Sequence, residues 1–191
     1  MKVIIPAGGK GTRLNNILNG LPKPLVDIYG DPLLIHTIKL CRKYGLTDIN
    51  LLLGYQPDQI IDTLGNGSDL DVKITYHTED KQLGTAGAVK NIEDIIDNDF
   101  LLIYGDIYIN MNLEKLINFH NSKKSNGTLV CHPNNHPQDS DLLEVDDEEQ
   151  IIKFISKPHN KNKYYRNLVN AGVSILNKNI LMDMKKNTYY D

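Results

Sequence analysis

The chain predicts an α/β fold of Rossmann-like type, a three-layer sandwich around a mixed central sheet, and three observations carry that prediction. Near-continuous apolar runs such as Val3 to Ile5, Ile49 to Leu53 and Phe100 to Tyr104 have the pattern of parallel strands covered on both faces. Between them lie stretches with apolar residues at helical spacing, punctuated by proline and glycine. In the second half strands follow one another with little helix between them, which extends the sheet as a mixed one.

The elements read as follows. Lys2 to Ile5 is a buried strand that runs into the glycine loop Pro6-Ala-Gly-Gly-Lys-Gly-Thr-Arg-Leu14. Leu25 to Ile28 is short and extended, Tyr29 to Pro32 is a turn, and Leu33 to Tyr44 is a helix closed by Gly45. The strand Ile49 to Leu53 turns through Gly54 into a helix carrying Ile60, Ile61 and Leu64, which ends in the Gly65 to Ser68 loop. Val72 to His77 alternates as a strand, Gly84 to Asn91 opens a helix, and Phe100 to Tyr104 is a strand that stops at Gly105-Asp106. Leu113 to Phe119 is helical and Gly127 to His132 extended. Asp139 to Ser156 reads as two short strands joined by the acidic turn Asp146 to Glu149, and Leu168 to Leu176 as a further strand. A final helix is expected from near Asn177 through Lys186. With no internal repeat and no low-complexity linker, one domain is expected over residues 1–191.

Composition narrows the partners. A net charge of −3 gives no basic field, which argues against nucleic acid or an anionic membrane as partner, so phosphate binding must rest on local charge. No apolar run approaches the roughly 20 residues of a membrane span, and the N-terminus has no signal-peptide pattern. A cytoplasmic protein is expected, and a homo-oligomer is compatible with the sequence. Two lone cysteines, Cys41 and Cys131, read as small buried hydrophobes.

The chemistry concentrates in the first loop. Gly8, Gly9 and Gly11 remove side chains and permit φ > 0, so that successive N–H groups can converge on an anion. Arg13 and Lys23 add fixed positive charge, the first as a planar fork and the second as a point charge. The order Lys10-Gly11-Thr12 is not the Gly-Lys-Ser/Thr of a Walker loop, and Leu14 stands where the dinucleotide fingerprint wants a third glycine. Asp106 stands at a strand end, where a carboxylate suits a hard cation such as Mg²⁺; taken alone it would read as a helix cap, and the nearby glycine loop tips it to metal. The second glycine loop, Lys81 to Gly87, could present N–H groups at a helix N-terminus. His132 and His136 are separated by prolines that forbid a shared helical face, so a solvated loop is preferred over a metal site.

The stretch Ala7-Gly-Gly-Lys-Gly-Thr-Arg-Leu14 followed by Pro22-Lys-Pro24 resembles the signature of the sugar-phosphate nucleotidyltransferases, which join a nucleoside triphosphate to a sugar 1-phosphate. The resemblance implies a fold of the nucleotide-diphospho-sugar transferase type. It puts Ala7, Gly8, Gly9, Gly11, Thr12 and Arg13 on the triphosphate and Gln82, Gly84 and Thr85 on the base and ribose. It makes Asp106 the Mg²⁺ ligand. Phe154-Ile-Ser-Lys-Pro158 and Asn170-Ala-Gly172 are similar to the family's sugar segments, so Lys157, Asn170 and Gly172 join Tyr104 as the expected sugar-binding residues, with Ser156 replacing the usual glutamate. Asp139 to Leu142 is similar to the branch that activates heptose 1-phosphates and is often fused to a phosphatase. The implied reaction is guanylyl transfer from GTP to a heptose 1-phosphate, with Arg13, Lys23, Asp106 and Lys157 as catalytic residues. Cytidylyl or uridylyl transfer to another phosphorylated small molecule, and a non-catalytic nucleotide-binding module, are the alternatives. The family's second metal aspartate, near an Asp-x-Gly-Thr-Pro motif, has no match after Gly172, where only Asp183 and Asp191 follow. A nucleotidyltransferase domain cut short at its C-terminal end, with weak or absent turnover, is the resulting expectation.

Overall fold

The computed structural model describes residues 1–9, 20–54, 56–160 and 162–190. They form two compact units, Met1–Thr128 with Ser174–Asp191, and Leu129–Val173.

In the first unit the parallel strands are β1 (Lys2–Pro6), β4 (Asp48–Leu53), β5 (Lys73–Thr78) and β6 (Asp99–Ile103), in the order β5-β4-β1-β6. The central three are buried at successive residues, so both of their faces are covered. Edge strand β5 is only partly buried. Two short strands, β2 (Asp27–Ile28) and β3 (Asp31–Pro32), form a hairpin whose turn residues Tyr29 and Gly30 both have positive φ, as tight hairpins demand. Among the described residues four helices flank the sheet: α1 (Leu33–Lys43), α2 (Pro57–Leu64), α3 (Gly84–Asn91) and α4 (Leu113–Lys123). Helix α1 buries Leu34, Thr37, Ile38 and Cys41, a stripe at i, i+3, i+4 and i+7, and carries Arg42 and Lys43 at its C-terminal, dipole-negative end. Ile4, Leu52, Ala88, Val89, Phe100 and Leu102 are packed together as one core cluster, which seats α3 against the strands.

The second unit contains β8 (Leu142–Val145) and β9 (Ile151–Ile155), an antiparallel pair, with β8 also antiparallel to β10 (Val169–Asn177). Strand β10 contributes residues to both units, as does β7 (Gly127–His132), which pairs with it. The sheet is therefore mixed, and the α/β class read from the sequence holds.

One expected element is absent. Residues after Asn177 form a 3-10 turn, Lys178–Leu181, and then a series of turns in place of a helix. Asn177 accepts from Asn179 N at 2.9 Å, Met182 N and Met184 N reach back only three residues, and Asn187 adopts φ 57. The chain is diverted because its polar groups find partners along α3 and the turn after it: Lys90 Nζ donates to Leu181 O at 3.0 Å, and Lys186 Nζ pairs with Asp94 at 2.5 Å. Tertiary hydrogen bonds override a helical pattern that has no stronger local support.

Candidate active site

The carboxyl ends of β1, β4 and β6 are tied together by their backbones. Ala7 N donates to Leu52 O at 2.8 Å and Gly105 N to Pro6 O at 3.0 Å. A Cβ on Gly8 would lie 2.6 Å from Gly54 N, so the two loops leaving β1 and β4 touch where neither could carry a side chain on that side. This close approach shapes a cavity of about 350 Å³ above the strand ends. Gly8 and Gly9 line it together with Gln82, Gly84 and Thr85. Five residues that the sequence assigned to nucleotide binding thus meet in one place, outside the carboxyl ends of parallel strands, where open α/β sheets bind ligands. Ala7 is buried behind them. Gly11, Thr12 and Arg13 lie outside the described residues.

Lys23 and Asp106, far apart in sequence, form an ion pair with Nζ 2.6 Å from Oδ2. Lys23 opens a 3-10 turn between Pro22 and Pro24, whose fixed φ values hold the turn in place. Asp106 leaves β6 through Gly105 and does not cap the following helix. That task falls to Asn112, whose side chain accepts from Lys115 N at 3.0 Å. The capping alternative for Asp106 is thereby removed. No group of three or more His, Cys, Asp or Glu side chains converges among the described residues, so a resident metal cage is absent there. One carboxylate just past the end of β6 nevertheless fits Mg²⁺ carried in on a phosphate ligand, since that ion takes one or two carboxylates and completes its shell with phosphate oxygens and water.

Glu79 was not singled out from the sequence. It stands just past β5 and its backbone N donates to Leu53 O at 3.0 Å. Its side chain lines the first cavity and a second one of about 350 Å³, which also includes Gln56. Glu79 Oε1 and Gln56 Oε1 are both buried with no hydrogen-bond partner among the described residues. Burial raises the Glu79 pKa, opposed by a long 3.4 Å hydrogen bond from Leu83 N. Buried acceptors left unpaired are costly, and two of them beside the cavities suggest a donor-bearing ligand.

The second glycine loop does two things. Gly84 and Thr85 face the cavity. Gly87, in contrast, donates its N–H to Tyr190 O at 3.1 Å, and Tyr190 N donates to Leu83 O at 2.9 Å. At Gly84, with φ 71, a Cβ would meet Tyr190 O at 2.2 Å. Part of the small-residue pattern therefore serves the docking of residues 188–190 and not ligand approach.

Tyr104 is half-buried against the core cluster of the first unit. Lys157, Asn170 and Gly172 belong to the second unit. The Lys157 side chain is exposed, and its backbone N donates to Asp141 Oδ1 at 3.0 Å. Asn170 Oδ1 accepts from Gly172 N at 2.9 Å, and Gly172 has φ 76, so the Asn-Ala-Gly segment makes a local turn within β10. His132 and His136 are exposed, in agreement with a solvated loop.

Comparison with known proteins bears on the chain as a whole. The family model described as Nucleotidyl transferase matches residues 2–190. Mannose-1-phosphate guanyltransferase 2 of Candida glabrata is 33% identical over 97% of this chain and 53% of its own length. The chain thus spans about half the length of the curated relatives it matches. The crystal structure of HddC from Yersinia pseudotuberculosis is 31% identical, covers 98% of this chain and 81% of that one, and superposes with a TM-score of 0.81. The same protein complexed with GMP-PN is 30% identical over the same shares, with a TM-score of 0.79.

Proposed function

The chain belongs to the nucleotidyl transferase family, and on that premise we propose that it transfers a guanylyl group from GTP to a sugar 1-phosphate, releasing pyrophosphate. The convergence of both glycine loops and Glu79 on one cavity carries this reading. The choice of base rests on the two unpaired acceptors, Glu79 Oε1 and Gln56 Oε1. Guanine offers adjacent N1–H and N2–H donors to a carboxylate, whereas cytosine offers only its N4 amino group beside the N3 and O2 acceptors, and uracil a single N–H between two carbonyls. The relatives that are guanyltransferases, and the relative solved with GMP-PN, support the same base.

In the proposed reaction a sugar-phosphate oxygen attacks the α-phosphorus in line and pyrophosphate departs. The attacking monoester is ionised at neutral pH, so no general base is required. Catalysis is then positioning and charge stabilisation. Lys23 holds the α-phosphoryl region, Arg13 the leaving pyrophosphate, and Lys157 the attacking phosphate, with Asn170, Gly172 and Tyr104 on the sugar. Asp106 would hold Mg²⁺, which when bound offsets phosphate charge.

Purified protein incubated with each triphosphate, Mg²⁺ and a panel of sugar 1-phosphates tests the reading by pyrophosphate release. The panel sets mannose 1-phosphate, the sugar in the relatives' names, beside heptose 1-phosphate, the sugar implied by the sequence resemblance. Release that is greatest with GTP supports the proposal; release greatest with CTP or UTP, or no binding of GTP by calorimetry, overturns it.

A further inference from the structure

Among the described residues lining the cavity of the first unit, the only aromatic ring is that of Tyr189. The backbone on either side of it is fastened. Asn187 N donates to Asn91 Oδ1 at 2.8 Å and Asn91 Nδ2 returns a bond to Asn187 Oδ1 at 3.1 Å. On the other side Tyr190 exchanges backbone hydrogen bonds with Leu83 and Gly87. Tyr189 is nevertheless 62% exposed. Its Cε2 comes within 3.3 Å of where a Gly84 Cβ would stand, so the ring lies beside the bare backbone at the start of α3, at the edge of the space that Gln82, Gly84 and Thr85 line.

A large aromatic ring on a pinned backbone, more than half exposed at the wall of a cavity, is an ordered platform for a planar group. Its conformational cost has already been met by the hydrogen bonds at positions 187 and 190. We infer that Tyr189 stacks on the nucleobase of the bound triphosphate and so positions it, an inference that rests on the nucleotide reading of this cavity. Stacking is tolerant of base identity. Tyr189 therefore supplies affinity, while Glu79 and Gln56 supply the choice of base. On this reading Gly84 lacks a side chain for two reasons: to admit Tyr190 O beneath it and to leave the Tyr189 ring open to the ligand.

The chain contains no tryptophan, so a Y189W variant carries a single indole at the proposed contact. Its emission should be quenched by GTP with the same Kd that calorimetry gives for the wild-type protein. Y189A should weaken GTP binding about tenfold, as loss of one stacked base does, with Y189F restoring it. Ribose 5-triphosphate, which has no base, should bind wild type and Y189A equally. An unresponsive indole in a protein that calorimetry shows to bind GTP overturns the inference and leaves the proposed function intact; so does equal weakening of GTP and ribose 5-triphosphate by Y189A. Absence of any nucleotide binding by the wild-type protein overturns both. If Y189A fails to fold, Y189W quenching and the Y189F affinity decide alone.

Discussion

Glu79 is a side chain whose burial works against the fold and which, in the proposed function, serves the ligand. Its carboxyl pKa lies above the ordinary range because burial disfavours the charge. A raised carboxyl pKa means that the folded state holds the proton to higher pH than the unfolded state does. The residue is therefore a destabilising influence that grows as pH rises through that interval and persists at neutral pH. E79Q should raise Tm at pH 7, by about 2 °C, and the gain should disappear in acid, where both states are protonated; thermal melts at pH 7 and pH 4 check the sign. The same substitution should lower kcat/KM for GTP by about tenfold or more, the worth of a charge-assisted hydrogen bond. It should also erase any preference for GTP over ITP, which lacks the 2-amino group. At the other extreme Cys41 is fully buried, its thiol pushed up to about 12 by desolvation. It should stay unmodified by a thiol reagent in native protein at pH 8 and react only on unfolding. The turn position of Lys23 and the strand-end position of Asp106 were legible in the sequence because prolines and a glycine mark their backbones. Glu79 and Tyr189 were not, since one is distinguished by burial of an oxygen and the other by a docking path, neither of which leaves a local pattern.

At the level of elements, the strand-to-loop junctions were the most readable part and the segment after β10 the least. Helix α3 was expected over Gly84 to Asn91 and occupies those residues. Its glycines, however, gain their meaning from residues about a hundred positions later. G84A combines a left-handed φ with a 2.2 Å clash against a backbone oxygen, so a loss of about 2–3 kcal/mol is expected from denaturant titration. The same change should release residues 188–190, which hydrogen exchange at the Gly87 and Tyr190 amides would report. The helix expected after Asn177 failed for a related reason: its polar residues are used by Asn91, Lys90 and Asp94, and such pairings across the chain cannot be seen from periodicity.

For the molecule as a whole, the α/β class was written in the unbroken burial of β1, β4 and β6, and Phe100 stands at the middle of that layer with no exposure. F100A should cost about 3–5 kcal/mol in a denaturant titration, the range for losing a fully buried aromatic ring. The overall charge of −3 offers a triphosphate no long-range attraction. Capture of nucleotide is then governed by what it meets at short range, and here the pair formed by Lys23 and Asp106 has a consequence for the order of events. At 2.6 Å the ammonium and carboxylate present a neutral dipole to anything that arrives alone. A bare divalent ion finds its carboxylate already compensated, whereas a polyanion can draw Lys23 toward itself and uncover Asp106 as it does so. Occupancy should therefore be ordered in time, nucleotide with its counter-ion and never the ion by itself. K23M should reverse that order of preference, tightening Mn²⁺ binding to the nucleotide-free protein by titration calorimetry even as it weakens binding of GTP.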